Sequence, residues 1–161
     1  MICYVANHIV VRYNWPDTMK RSNGQRNPPR LTNSDYEALA QFRYLMRKFA
    51  SFSEAAARKV GLTTQQHQAL LAIRGFSGRE RITVGELAER LNVRHHSVVG
   101  LVDRLAGRGL VRRRRDAMDG RRVLLELGPK GRILLAGLSQ AHRDELRTLA
   151  PSVKQLLAHL A

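Results

Sequence analysis

Mostly α-helical with one small β ribbon is the fold class this sequence predicts, and three observations predict it. Apolar residues recur three and four apart in several long stretches, the period of an amphipathic helix. Residues 93–127 read as a helix that feeds directly into two short strand-like runs. The charge is lopsided: 28 Lys/Arg face 13 Asp/Glu, a net +15, and residues 94–132 alone hold 11 Lys/Arg and 4 Asp/Glu, which is +7 of it. A helix running into a two-stranded ribbon with a basic tip is the recognition helix and wing of a winged helix-turn-helix.

Within that stretch, Val98, Leu101, Val102 and Leu105 form one apolar helical face. Gly107 and Gly109 stop the helix, as glycine does where a left-handed turn is needed. The two runs at 110–115 and 122–127 are separated by Asp116, Ala117, Met118, Asp119, Gly120 and Arg121, a turn-forming tip.

Length and composition set the bounds. A chain of 161 residues, 43% hydrophobic, is one domain with a core, or one domain with an appendage. A sequence pI near 11.4 points to a polyanionic partner. The concentration of charge on one element weighs against a merely solvated basic surface. One cysteine, Cys3, excludes an internal disulfide and fits a reducing cytoplasm. No apolar run reaches membrane-spanning length, so no membrane partner is expected. The opening residues lack the early positive charge and unbroken apolar core of a signal peptide.

Taken in order, residues 1–30 read as a flexible N-terminal extension. Residues 20–30 are polar, basic and proline-containing. The extension is either a basic arm that adds phosphate contacts, or else a dispensable segment or an upstream start wrongly chosen, with Met19 as the true first residue. The second reading is preferred. Ser34 and Glu37 have the spacing of a capping box. The helix they open carries Leu39, Phe42, Met46, Phe49 and Phe52 and should end near Val60, with Gly61 as its stop. Thr63 and Gln66 start a second helix, with Leu70, Leu71 and Ile73 on its apolar side and Gly75 and Gly78 at its end. Arg81 and Ile82 can add a short strand beside the wing. Thr83 and Glu86 form another capping box, opening a short helix with Leu87 and Leu91 buried. Asn92 suits the left-handed turn into the recognition helix. Pro129 fits the first position of the next helix, whose stripe is Ile133, Leu134, Leu138 and Leu146. Pro151 should break it, leaving Val153, Leu156, Leu157 and Leu160 on a final helix. Apolar stripes at the chain end need a partner. A helix-turn-helix that reads palindromic DNA is usually a dimer, so these are expected to be dimerisation helices.

Residues 100–131 resemble the MarR family of bacterial transcriptional regulators. The resemblance rests on Leu101, Val102, Asp103, Arg104 and Leu105 at the helix end, then Gly109, Leu110 and Val111, a basic strand at 112–115, Asp119 with Arg121 in the wing, and Leu127 and Gly131 opening the next helix. It extends from about Leu31 to the C-terminus. It implies a winged-helix domain over 31–161, with a DNA-binding lobe at about 62–127 and dimerisation helices at about 34–60 and 129–160. It also implies a homodimer on a palindromic double-stranded operator. The commonest role is a repressor that lets go when a small aromatic or anionic effector binds between the dimer layer and the DNA-binding lobe. A ligand-independent, basic architectural DNA-binding protein is the alternative.

Residues at the start of a recognition helix meet base edges and phosphates. Here these are Arg94, His95, His96 and Ser97, followed by Val99, Gly100 and Arg104 along the exposed side. Arg94 stands where the family has Ser or Thr, so the helix loses its side-chain cap. Gly100 removes a side chain from the readout face. If 112–115 form a strand, its arginines alternate in direction: about half face phosphate, with Arg113 expected to bind DNA, and the others face solvent or Asp103. By resemblance, Arg121 enters the minor groove with Asp119 holding it, and Arg122 lies beside it. Adjacent histidines point different ways on a helix, and no cysteine or spaced carboxylate joins His95 and His96, so no metal is expected. No catalytic constellation or cofactor-binding motif is present, and neither an enzyme nor a cofactor is expected.

Overall fold

The computed structural model describes residues 31–76, 81–116 and 122–160. The extension at 1–30, Gly78 and the wing tip at 117–121 lie outside them. Among the described residues, five helices and a three-stranded antiparallel sheet follow the chain: α1 (Asn33–Lys59), α2 (Thr64–Arg74), β1 (Ile82–Thr83), α3 (Val84–Leu91), α4 (His95–Gly107), β2 (Val111–Arg115), β3 (Val123–Leu127) and α5 (Pro129–Leu160). The sheet order is β1-β3-β2.

Three helices open on capping boxes. Thr63 pairs with Gln66 at α2 and Thr83 with Glu86 at α3, both at the expected positions. At α1 the box is Thr32 with Asp35, not Ser34 with Glu37. The Thr32 hydroxyl accepts the Asp35 amide at 3.3 Å, and the Asp35 carboxylate accepts the Thr32 amide at 2.7 Å. Thr32 offers the same three-residue spacing two positions earlier, so the helix starts there and Ser34 falls inside it. Asn92 turns left-handed at φ 51°, joining α3 to α4.

The second correction concerns Pro151, which lies within α5 and does not end it. A proline there removes the amide that would bond the Arg147 carbonyl and crowds that carbonyl with its ring. Packing along α1, where α5 makes its most extensive contacts, outweighs that local loss.

The core lies in the α2–α4 lobe. Leu70, Ile73, Ile82, Leu87, Val98, Leu101, Val102, Leu105 and Leu125 are all essentially buried. Each such side chain contributes about 1.5–3 kcal/mol by leaving water. Leu91 is only half-buried and Leu71 is exposed, against expectation, because the core closes on the Leu70–Ile73 side of α2. The helix stripes split in the same way. Ala38 and Leu45 are buried on α1, and Leu135, Leu138 and Leu149 on α5. Leu39, Met46, Ile133, Leu146 and Leu157 face outward.

One close approach sets the seat of the wing. The Gly128 amide donates to the Leu110 carbonyl at 2.9 Å, and a Cβ on Gly131 would overlap that carbonyl. The start of α5 therefore lies directly on the turn between α4 and β2, a fit only glycine allows.

Candidate nucleic-acid interface

The buried face of α4 is the predicted one, which turns its other side outward. His95, His96, Ser97, Val99 and Arg104 are exposed, and Gly100 is half-covered. A Cβ on Gly100 would sit 3.5 Å from the Arg104 guanidinium, so that arginine lies across the gap the glycine leaves. Arg94 is the N-cap, with extended backbone and no side-chain cap bond, as its side chain dictates. Its carbonyl accepts the Ser97 amide at 3.0 Å. The first turn of α4 carries no acidic residue. Uncapped amides, the positive helix end and Arg94 together make an anion-attracting edge.

The ribbon places its arginines on two faces. Val111 is buried, and Arg113 shares its face. The Arg113 guanidinium donates to the Asp103 carboxylate on α4 at 2.6 Å. On the opposite face, Arg114 donates to Glu126 at 3.0 Å, and Arg81 reaches the second oxygen of the same carboxylate at 3.2 Å. The Arg114 bond, reinforced by the charge of both arginines, holds the Glu126 carboxyl below its ordinary 4.5 against the opposing effect of burial. Arg112 and Arg115 are exposed. Of the four arginines, two therefore orient the ribbon and two lie open to a polyanion.

Arg122 and His95 are brought together. They share the wall of a shallow groove of about 380 Å³ with Thr83, Val84, Gly85 and Val123. The sequence reading missed this contribution from the start of α3. The signal was the strand at Ile82, whose pairing with Leu125 draws the Thr83 capping box up to the wing base. Asp119 and Arg121 lie outside the described residues. Of the residues on either side, the Asp116 amide donates to the Arg122 carbonyl at 3.0 Å. Among the described residues no group of three or more His, Cys, Asp or Glu is placed to hold a metal ion. No helix among them is long and apolar enough to cross a membrane.

Residues 60–122, which run from the end of α1 to the residue before β3, match the sequence model of the MarR family. No curated protein matches the chain. Among solved structures, the chain is similar to wild-type MarR from E. coli in its apo form, at 22% identity and a TM-score of 0.60, over 75% of this chain and 94% of that one. It is similar to the transcriptional regulator PA4135 at 25% identity and a TM-score of 0.61, over 81% of this chain and 91% of that one. It is also similar to a mutant MepR from S. aureus bound to an oligodeoxyribonucleotide, at 22% identity and a TM-score of 0.57, over 81% of this chain and 94% of that one. Residues 60–122 thus match the MarR family model, and the chain as a whole is similar in fold to the solved MarR-family structures.

Proposed function

We propose that the chain is a sequence-specific DNA-binding transcriptional regulator, acting in the cytoplasm as a homodimer on a palindromic operator. The observation that carries this reading is the outward face of α4 beside the basic ribbon. Arg94, His95, His96, Ser97 and Val99 stand where base edges and phosphates would be met. Arg112, Arg115 and Arg122 extend the positive surface toward the backbone on either side. The DNA-bound MepR structure supports the same use of this fold.

The dimer reading is supported by apolar side chains left open on both long helices, Leu39 and Met46 on α1 and Ile133, Leu146 and Leu157 on α5. Exposed apolar surface of this kind is what an isologous interface covers. We further propose a repressor that a small effector releases. A cleft of about 450 Å³ between the end of α1 and the start of α5 supports it. Its walls include Phe52, Val60, Leu134 and Leu138, with Lys59 among its lining residues, a setting suited to a small aromatic anion.

Selection from random duplexes, followed by titration on the enriched and a scrambled sequence, tests the reading. The expected result is an enriched palindrome bound at least about a thousandfold more tightly than scrambled DNA. Equal affinity for the two would favour an architectural protein, and no binding to either would end the proposal.

A further inference from the structure

Where α1, α2 and α5 meet, two histidine rings stack inside the protein. His67 of α2 is buried, and its Nδ1 has no hydrogen-bond partner. The ring of His142 on α5 lies 4.6 Å from it, centroid to centroid, tilted by 45°. Phe49 and Phe52 of α1 pack edge-on against His142 at 5.8 and 5.4 Å. The Nδ1 of His142 lies 2.7 Å from the Leu138 carbonyl. A carbonyl only accepts, so Nδ1 carries the proton. The neutral ring then accepts the Ser53 hydroxyl of α1 at Nε2, 2.9 Å away.

Among the described residues, no carboxylate takes part in the cluster. The elements packed on α2 are α1, α3, α5 and β3. On α1, Glu54 and Arg58 pair with each other at the surface. On α5, Asp144 is engaged by Gln140 and Arg147, and Arg143 is exposed. On α3, Glu86 bonds Thr83, Arg90 lies over Phe76, and Glu89 is exposed. On β3, Glu126 holds Arg81 and Arg114. The influences on His67 are its burial and, second, the charge of His142, and both hold it below its ordinary 6.5.

We propose that the His67–His142 ring pair is a proton-operated latch at the joint between the DNA-binding lobe and the α1–α5 helix pair, closed while His67 is neutral. A proton on His67 places a cation among apolar groups. That is relieved when α2 moves off α5 and water enters. The sign follows from linkage. The open joint binds more protons than the closed one between 6.5 and the lowered folded value, so closure weakens as pH falls through that window. The pair thus makes the setting of the DNA-binding lobe pH-dependent. Only this last step, from joint to DNA, rests on the function proposed above.

Amide hydrogen exchange on the free, full-length protein tests the latch without DNA, at about pH 7.5 and about pH 5.5 with intrinsic rates corrected. In the wild type, exchange should rise severalfold in α2 and in the facing turns of α1 and α5. The amides of β2 and β3 should not follow. His67→Phe keeps a ring without a titrating nitrogen, and His142→Gln keeps a partner for Ser53. His67→Phe should lose the pH-dependent rise, and His142→Gln should reduce it. If His67→Phe does not fold, His142→Gln decides alone. An unchanged wild type, or the same rise in His142→Gln, overturns the latch. Duplex titration at both pH values, wild type against His142→Gln, then reads the coupling. Absence of binding by the wild type at every pH would count against the DNA-binding reading and leave the exchange result standing.

Discussion

At position 126 one mostly covered carboxylate accepts bonds from Arg114 on β2 and Arg81 beside β1, so a single side chain ties together the three strands of the sheet. Exposed ion pairs contribute little, but here both carboxylate oxygens are used and the acid is largely shielded. Glu126→Gln should cost about 1–2 kcal/mol in urea denaturation at neutral pH. The direction of its titration adds a second readout. A carboxyl held below 4.5 in the folded state contributes stability above 4.5 that is lost as pH falls through the folded value. The gap between the two proteins should therefore close in acid, and a gap that stays constant would show that the ion pairs are not its source. Arg121 belongs to the same scale. If it enters a minor groove, Arg121→Ala should cost about 1–3 kcal/mol of operator affinity and relax preference at one position. If it meets only phosphate, binding should weaken evenly across sequences, and the salt slope should fall by about one unit. The melting temperature should hardly change either way.

Elements fail in more localised ways. The start of α5 rests on the α4–β2 turn because Gly131 has no Cβ to strike the Leu110 carbonyl. Gly131→Ala forces the backbone apart and should cost about 3 kcal/mol or more, lifting the wing off its seat. Calorimetry measures the stability, and a neutral result would mean that this contact yields freely. Pro151 makes the opposite case. It sits in a helix that continues through it, so Pro151→Ala restores a missing amide and should stabilise the protein by up to about 3 kcal/mol. A loss of stability would mean that the bend proline imposes is needed by whatever packs there.

For the whole molecule, the question is what covers the outer faces of α1 and α5. Leu157 is 54% exposed and Ile133 77% exposed in the single chain, although both lie on regular apolar stripes. Leu157→Glu should leave the fold of the chain intact while producing monomers, because the charge would enter an interface and not a core. Operator affinity should fall with it, since the two half-sites would no longer be held together. Light scattering that gives the wild-type mass for Leu157→Glu would move the interface elsewhere.

The sequence alone determined what depends on local spacing. The buried face of α4 at Val98, Leu101, Val102 and Leu105, the boxes at Thr63 and Thr83, the left-handed Asn92 and the missing cap at Arg94 are each set within a turn or two of chain. Period, capping and backbone sterics act at that range, so they can be read without a partner in view. The tertiary structure alone decided what depends on contacts far apart in the chain. Pro151 reads as a break until the packing of α5 on α1 is counted. Leu70 and Leu71 look equivalent until one side of α2 is closed off. Four consecutive arginines look alike until strand pairing hands Arg113 to Asp103 and Arg114 to Glu126. His67 and His142 are 75 positions apart, and nothing in either neighbourhood foretells a stacked pair. Burial and charge pairing follow from which surfaces meet, and that is fixed by the sum of many weak contacts across the chain, not by any local pattern.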